Sequence, residues 1–338
     1  MSRTHLKTSA LTLGVVTAAM AGCTSMMAPS LPPAPPQVIV AGERVFPESM
    51  ASAADGSLFF GSIGNKMIYR AAPGSDKAVA FVQPGTDGLQ ATFGVFADSK
   101  SGTLYACSNN FGGPPGATPT PANVYAFDLK TGASKGHYPF ALAGSFCNDM
   151  ATLPDGTLYA TDTNNMEVEV LKKGAAALEV WSGADGGLGK KGGVIDGISV
   201  LGHRIIVNEL AASKLFSIEI GADGKAGTPA EIKLDRPISR PDGMRTFGKS
   251  AVLIVEGGDG GKLEKVTFDG NTGKVELIKQ GYPDGPVAVA VVGTTAYVCE
   301  SQMSAMGGRG RPAAPGAAPP PPPVLKPFKA TAVEVGKP

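Results

Sequence analysis

Asn148 to Asp162 reads NDMATLPDGTLYATD: a polar start, an alternating run, a Pro-Asp-Gly turn and a second apolar run. The same phrase returns as PESMASAADGSLFFGS from Pro47, GVFADSKSGTLYACS from Gly94, DGISVLGHRIIVNEL from Asp196, DGMRTFGKSAVLIVEG from Asp242 and PVAVAVVGTTAYVCES from Pro286. Glu48 precedes Asp55-Gly56 by seven positions, the spacing that separates Asn148 from Asp155-Gly156, so these two copies superpose without a gap. With Glu48, Gly94, Asn148, Asp196, Asp242 and Pro286 as phase marks, the intervals are 46, 54, 48, 46 and 44 residues. Short strands recurring at that period make a four-stranded propeller blade. A lone blade cannot bury both faces of its sheet, so copies must stack around an axis. The expected fold is all-β: a six-bladed β-propeller spanning residues 37–338. The last copy supplies only three strands. Gln37 to Ala41 is expected to be its fourth, closing the ring and removing exposed sheet edges.

Residues 1–22 read as an address. Arg3 and Lys7 precede a short apolar run from Ala10 to Ala19, too short to span a bilayer, and Met20-Ala21-Gly22-Cys23 resembles a bacterial lipobox with Met in place of the commoner Leu. The resemblance implies cleavage before Cys23 and lipidation of its thiol; the other reading is a secretory signal cut nearby. Either way the protein is exported. Thr24 after the cysteine favours the outer membrane, facing the periplasm of a Gram-negative cell. Residues 23–36 then form the lipidated Cys23 and a Pro-rich tether, the chain's only expected membrane contact. Without Arg3 and Lys7 the chain carries 28 basic against 29 acidic residues, a balance that gives no steer toward nucleic acid. A monomer is expected. Cys107, Cys147 and Cys299 remain in a compartment that permits disulfides. Cys107 and Cys147 fall on the same end of neighbouring copies, where a bridge or buried free thiols are both open readings.

Nucleophile and phosphate-binding motifs are absent. No Gly-x-Ser-x-Gly elbow occurs, and Gly257 to Lys262 lacks the spacing of a phosphate loop. His137 and His203, the two histidines beyond the signal, both read as solvent-facing. The chemistry lies instead at the starts of the copies, because the innermost strand of every blade begins beside the axis at one face. Glu48, Asn148, Asp196 and Asp242 occupy that phase. Carboxylates aimed at one point repel unless a cation neutralises them. An all-oxygen set without histidine or thiolate suits Ca²⁺, or another hard divalent ion, better than Zn²⁺ or copper. Each residue taken singly also suits a turn.

These positions, with Pro47-Glu48, Asn148-Asp149, Asp196-Gly197-Ile198 and Pro241-Asp242-Gly243 around them, resemble the regucalcin/gluconolactonase family of six-bladed propellers and, more distantly, the paraoxonases. The resemblance implies a single divalent ion, usually calcium, at the top of the channel, held by Glu48, Asn148, Asp196 and Asp242. It implies hydrolysis of a lactone or related ester, with Asp242 both a ligand and the group that helps activate water. Three departures stand out. Asp196 replaces the family's usual asparagine. Phe146 stands where gluconolactonase-type members carry an arginine, and Thr163 to Met166 replaces a glutamate-bearing strand end. The last two disfavour sugar-acid lactones, and Phe146 suits a less hydroxylated substrate. The paraoxonase likeness lacks its histidines, and strictosidine-synthase-type chemistry does not use this metal set.

Insertions at Phe111 to Pro121 and Met303 to Pro327 are expected on the face that holds the four residues. The strand ends Asn109, Asp162, Glu209 and Glu256, with Phe146, are expected at the substrate rim. The expected function is calcium-dependent hydrolysis of lactones or small esters. The alternative is a non-catalytic propeller whose ion is structural and whose loops bind a partner or small ligand.

Overall fold

Asp-Gly pairs make the turns that the repeat predicts. In the first copy Ser57 N donates to Asp55 Oδ1 at 2.8 Å and Gly56 has φ 89°; in the third, Thr157 N donates to Asp155 Oδ1 at 2.8 Å and Gly156 has φ 94°. An aspartate that accepts its own chain two residues on, followed by a glycine free to take positive φ, fixes a tight reversal. The structure, a computed structural model, describes Met1 and residues 30–111, 121–183, 187–190, 192–258, 260–306 and 323–338. The expected signal, Cys23 and most of both insertions lie outside the described residues. Residues 31–338 form one compact unit.

The first strand, β1 (Gln37–Val40), stands apart from the first blade. Blade 1 comprises β2 (Pro47–Ser52), β3 (Leu58–Ser62), β4 (Met67–Ala71) and β5 (Lys77–Val82), and blade 2 comprises β6 (Ala91–Asp98), β7 (Thr103–Asn109), β8 (Asn123–Asp128) and β9 (Ser134–Pro139). Blade 3 holds β10 (Cys147–Thr152), β11 (Leu158–Asp162), β12 (Glu167–Leu171) and β13 (Glu179–Ser182). Blade 4 holds β14 (Ile195–Leu201), β15 (Arg204–Glu209), β16 (Lys214–Glu219) and the short β17 (Ala230–Glu231). After β18 (Lys233–Leu234), blade 5 follows as β19 (Pro241–Phe247), β20 (Ala251–Glu256), β21 (Lys262–Asp269) and β22 (Thr272–Gln280). Blade 6 is β23 (Pro286–Val292), β24 (Thr295–Glu300) and β25 (Phe328–Glu334), completed by β1. The inner strands β2, β6, β10, β14, β19 and β23 each touch the next around a closed ring.

The closure is a two-sided zipper. β1 pairs antiparallel with β25, Gln37 opposite Thr331 and Val40 opposite Phe328, and parallel with β5, Ile39 opposite Lys77. It therefore joins the outer strands of blades 6 and 1 as well as completing blade 6. Between blades 4 and 5 β18 makes a similar parallel contact with β22. Residues 31–36, read from sequence as part of the tether, lie along the domain: Tyr297 Oη donates to Pro35 O and Ala332 N to Pro36 O.

The core is distributed among the blade interfaces. Six buried apolar clusters fill the six gaps, among them Phe59, Ile68 and Val82 against Val95, Leu104 and Phe127 between blades 1 and 2. Each side chain of this size moved out of water contributes about 1.5–3 kcal/mol. A disulfide joins Cys107 at the end of blade 2's second strand to Cys147 at the start of blade 3, with Cα atoms 5.2 Å apart, and Cys299 is a buried free thiol. Deleting residues 37–41 should abolish cooperative unfolding or sharply lower Tm, while deleting residues 24–30 leaves Tm unchanged. Equal melting temperatures would show that β1 does not hold the ring.

Candidate metal centre

Every inner strand loses its pairing register near its start. The interruptions fall between Pro47 and Ser49, Thr92 and Val95, Cys147 and Met150, Ile195 and Ile198, Pro241 and Met244, and Pro286 and Ala288. A bulge releases its residues from the ladder and re-aims their side chains. The released residues include Glu48, Asn148, Asp149, Asp196 and Asp242. Carboxylate oxygens of Glu48, Asp196 and Asp242 consequently lie within 4.8 Å of one another. Asn148 joins them through Asp196, its Nδ2 donating to Asp196 Oδ2 at 3.1 Å and to Thr163 Oγ1 at 3.2 Å.

Close backbone approach makes this convergence feasible. A Cβ on Gly197 would stand 2.7 Å from Asp242 O, and one on Gly243 would stand 2.5 Å from Val287 O, so each bulge needs glycine to admit the next blade. Hydroxyl and amide groups fix the spacing. Thr161 Oγ1 donates to Asp196 O at 2.7 Å and accepts from Asp149 N at 3.0 Å, while Asn208 accepts from Gly197 N and donates to Asp242 O.

Sequence reasoning left Asp149 and Arg245 without roles, and both face the axis. Arg245 Nη1 lies 2.6 Å from Asp149 Oδ2 and Nη2 3.2 Å from Oδ1, a two-pronged pair whose side chains are 13 % and 5 % exposed. The same guanidinium donates to Met50 O of blade 1 at 3.1 Å, to Val95 O of blade 2 at 3.2 Å and to Met244 O of its own strand at 2.8 Å. One side chain of blade 5 thus bonds to blades 1, 2 and 3. A lone arginine amid the alternation of β19 was the available signal.

Burial and like charge oppose ionisation of the cluster. The carboxyl of Asp196 is pushed up to about 7, chiefly by burial and then by Asp149, with Asn148 and Arg245 pulling it back. Burial, then Asp196 and Asp242, raises Glu48 well above the usual carboxylate range; burial, then Asp196, does the same to Asp242. An ion with ligands at 2.3–2.6 Å places opposite oxygens about 4.6–5.2 Å apart, so three oxygens within 4.8 Å can share one such ion. The convergent donors are three carboxylate oxygens without histidine or thiolate, with Asn148 turning its Nδ2 toward Asp196, and the set fits a hard divalent cation.

The expected rim residues lie elsewhere. Asp162, Glu209 and Glu256 are at most 3 % exposed, and each accepts the backbone N–H of the segment leading into its own inner strand: Phe146 N at 2.9 Å, Val194 N at 2.7 Å and Ser239 N at 3.0 Å. Asn109 clamps the next blade instead, bonding both N and O of Cys147 beside the disulfide. These four residues hold the inner strands in place and do not line an open mouth. Phe146 packs edge-on against Phe93 and Phe111, with ring centres 4.7 and 6.3 Å away. A cavity of about 440 Å³ adjoins the carboxylates, its wall including Asp242, Asp284, Arg240, Leu210, Val287 and Met303. A second, of about 470 Å³, opens at the opposite end of the inner strands, with Arg245 in its wall.

No protein-family model and no curated protein matches the chain. Among solved structures, a candidate gluconolactonase shares 14 % identity at TM-score 0.59, covering 91 % of this chain and 96 % of its own. The calcium-binding protein regucalcin from Agrobacterium tumefaciens shares 14 % identity at TM-score 0.56, covering 89 % and 96 %. Catalytically inactive virginiamycin B lyase from Staphylococcus aureus, solved with quinupristin, shares 16 % at TM-score 0.57, covering 78 % and 80 %. At such identities the likeness is one of fold.

Two predictions follow from the axial charges. Arg245→Met leaves Asp149 buried and unpaired and should cost about 3–5 kcal/mol in urea unfolding, part of it recovered by adding Asp149→Asn; a cost below about 1 kcal/mol would show that the pair does not hold the hub. Carboxyls raised in the folded state contribute stability that is present below their unfolded values near 4 and lost as pH rises through about 7. Tm in chelator should therefore fall between pH 5 and pH 8, and Ca²⁺ should restore it at pH 8. A Tm indifferent to both would exclude the cation site.

Proposed function

We propose that this chain is a divalent-cation-dependent hydrolase of lactones or small esters, related to the gluconolactonase/regucalcin-like propellers and using Ca²⁺ as its ion. One observation carries this reading: three converging carboxylates, one of which also lines a cavity large enough for a small substrate. Glu48, Asp196 and Asp242, with Asn148 beside them, would hold the ion. When bound, the ion would polarise the substrate carbonyl and stabilise negative charge developing on its oxygen. Asp242 faces the cavity and serves as the base that takes the proton of the attacking water. That proton passes to the alkoxide as the acyl C–O bond breaks, giving a hydroxy acid or an acid and an alcohol. Arg240 supplies a cation at the cavity wall for an anionic part of the substrate, while Leu210, Val287 and Met303 favour an apolar remainder.

The second reading, a propeller that binds a ligand or partner around a structural ion, is favoured by Phe146. Its ring is committed to Phe93 and Phe111 and stands where related lactonases are expected to present an arginine. In both readings the protein is a monomer exported from the cytoplasm and anchored through lipidated Cys23 to the outer membrane, facing the periplasm.

A panel of lactones and aryl esters assayed with residues 24–338 separates the two readings. Turnover should require Ca²⁺, vanish in chelator and fall about 10²–10⁴-fold in Asp242→Asn. Absence of turnover across the panel, with Ca²⁺ still raising Tm, would reject the hydrolase and leave the structural ion.

A further inference from the structure

The strand-end acids of blades 4, 5 and 6 each face a lysine across the register of their second and third strands: Glu209 opposite Lys214, Glu256 opposite Lys262 and Glu300 opposite Lys329. Blade 3 breaks this rule, because Asp162 stands opposite Glu167. Two positions further along the ladder, blade 5 carries Glu264 and blade 3 carries the equivalent Glu169. Blade 5 sets a cation beside each of its acids, although Glu256 Oε1 and Glu264 Oε2 also lack hydrogen-bond partners. Lys262 Nζ lies 3.5 Å from Glu256 Oε2, and Arg236 Nη2 lies 2.7 Å from Glu264 Oε1. Blade 3 has the same arrangement with a carboxylate in place of the lysine, and among the described residues no lysine or arginine pairs with any of its three acids.

We propose that Asp162, Glu167 and Glu169 form a second site for a divalent, oxygen-seeking cation, Ca²⁺, beneath the segment 140–146 that links blades 2 and 3. Their carboxylate oxygens lie within 4.8 Å of one another, and none of the three belongs to the axial cluster. Glu169 is fully buried and Glu167 is 7 % exposed, yet Glu169 Oε1 and Glu167 Oε2 have no hydrogen-bond partner. Glu169 Oε2 accepts Ala141 N at 2.8 Å, and Asp162 accepts Phe146 N at 2.9 Å and Asn165 Nδ2 at 2.7 Å. Two buried, unpartnered carboxylate oxygens beside a third acid need either protons or a cation, since isolated buried charge is otherwise too costly. The oxygen spacing suits ligands at 2.3–2.6 Å from one ion. Through Ala141 N and Phe146 N the occupied site would tie down the segment that delivers Cys147 and Asn148 to the axis.

Calorimetric titration of the chelator-stripped protein with CaCl₂ tests the proposal without assuming the axial site. Wild type should take up two equivalents. Glu167→Lys, which installs the charge pattern of blade 5, should take up one and keep its Tm in chelator; Glu167→Gln, close to isosteric, should also take up one. Asp196→Asn/Asp242→Asn, disabled at the axis, should retain one. Uptake by both Glu167 variants equal to wild type would overturn the second site, as would complete loss of uptake in the axial double variant. A single wild-type equivalent that disappears only in the Glu167 variants would sustain this site and refute the axial one.

Discussion

Arg245 and Asp149 meet inside the channel, and the guanidinium also reaches carbonyls of blades 1 and 2. A propeller has no covalent hub, and its blades are held chiefly to their neighbours, here by interface packing, the β1 and β18 pairings and one disulfide. A side chain that bonds to three other blades supplies a connection across the ring that packing cannot. Its charge also acts on Glu48 and Asp196, while Arg240 acts on Asp242 from the cavity side. The charge of Arg245 is already committed to Asp149. Three acids remain, and with Asp196 pushed up to about 7 their metal-free state is a compromise between desolvation and repulsion. A divalent ion would resolve that compromise without disturbing the arginine.

The same bulges that make the site also constrain the fold. Regular pairing would send successive side chains to opposite blade faces; breaking the register at each inner-strand start turns a polar side chain toward the axis instead. Gly197 and Gly243 follow Asp196 and Asp242 because the next blade's backbone passes where a Cβ would stand. Acid and glycine form one unit in each of these blades, because a side chain at the glycine would push the next blade's backbone out of place.

Period, blade number, ring closure and the common phase of Glu48, Asn148, Asp196 and Asp242 were legible because they depend on local alternation and turn chemistry. Arg245 was not, since in β19 it follows buried Met244 in the place where alternation ordinarily puts a solvent-facing residue. On an axis that side points inward. The strand-end acids misled for a related reason. Asp162, Glu209 and Glu256 look like surface residues beside turns, but each backbone segment entering an inner strand has an N–H that the blade cannot pair, and the acid turns inward to accept it. Their recurrence some 15 to 17 residues after that N–H was the overlooked regularity.

Blade 3 concentrates these devices. Asn148 follows a disulfide to blade 2, an amide clamp from Asn109 and a carboxylate clamp from Asp162, while Thr161 and Thr163 bind its other flank to blade 4. Blades 1 and 5 deliver Glu48 and Asp242 without a disulfide. The difference matches what each residue must do. A carboxylate is drawn to a cation by charge and tolerates a mobile backbone, whereas a neutral amide has only orientation to offer and must be held in place. Placing uncompensated acids under that same segment follows this logic, because an ion there would stiffen the one strand start whose axial residue cannot be steered by charge.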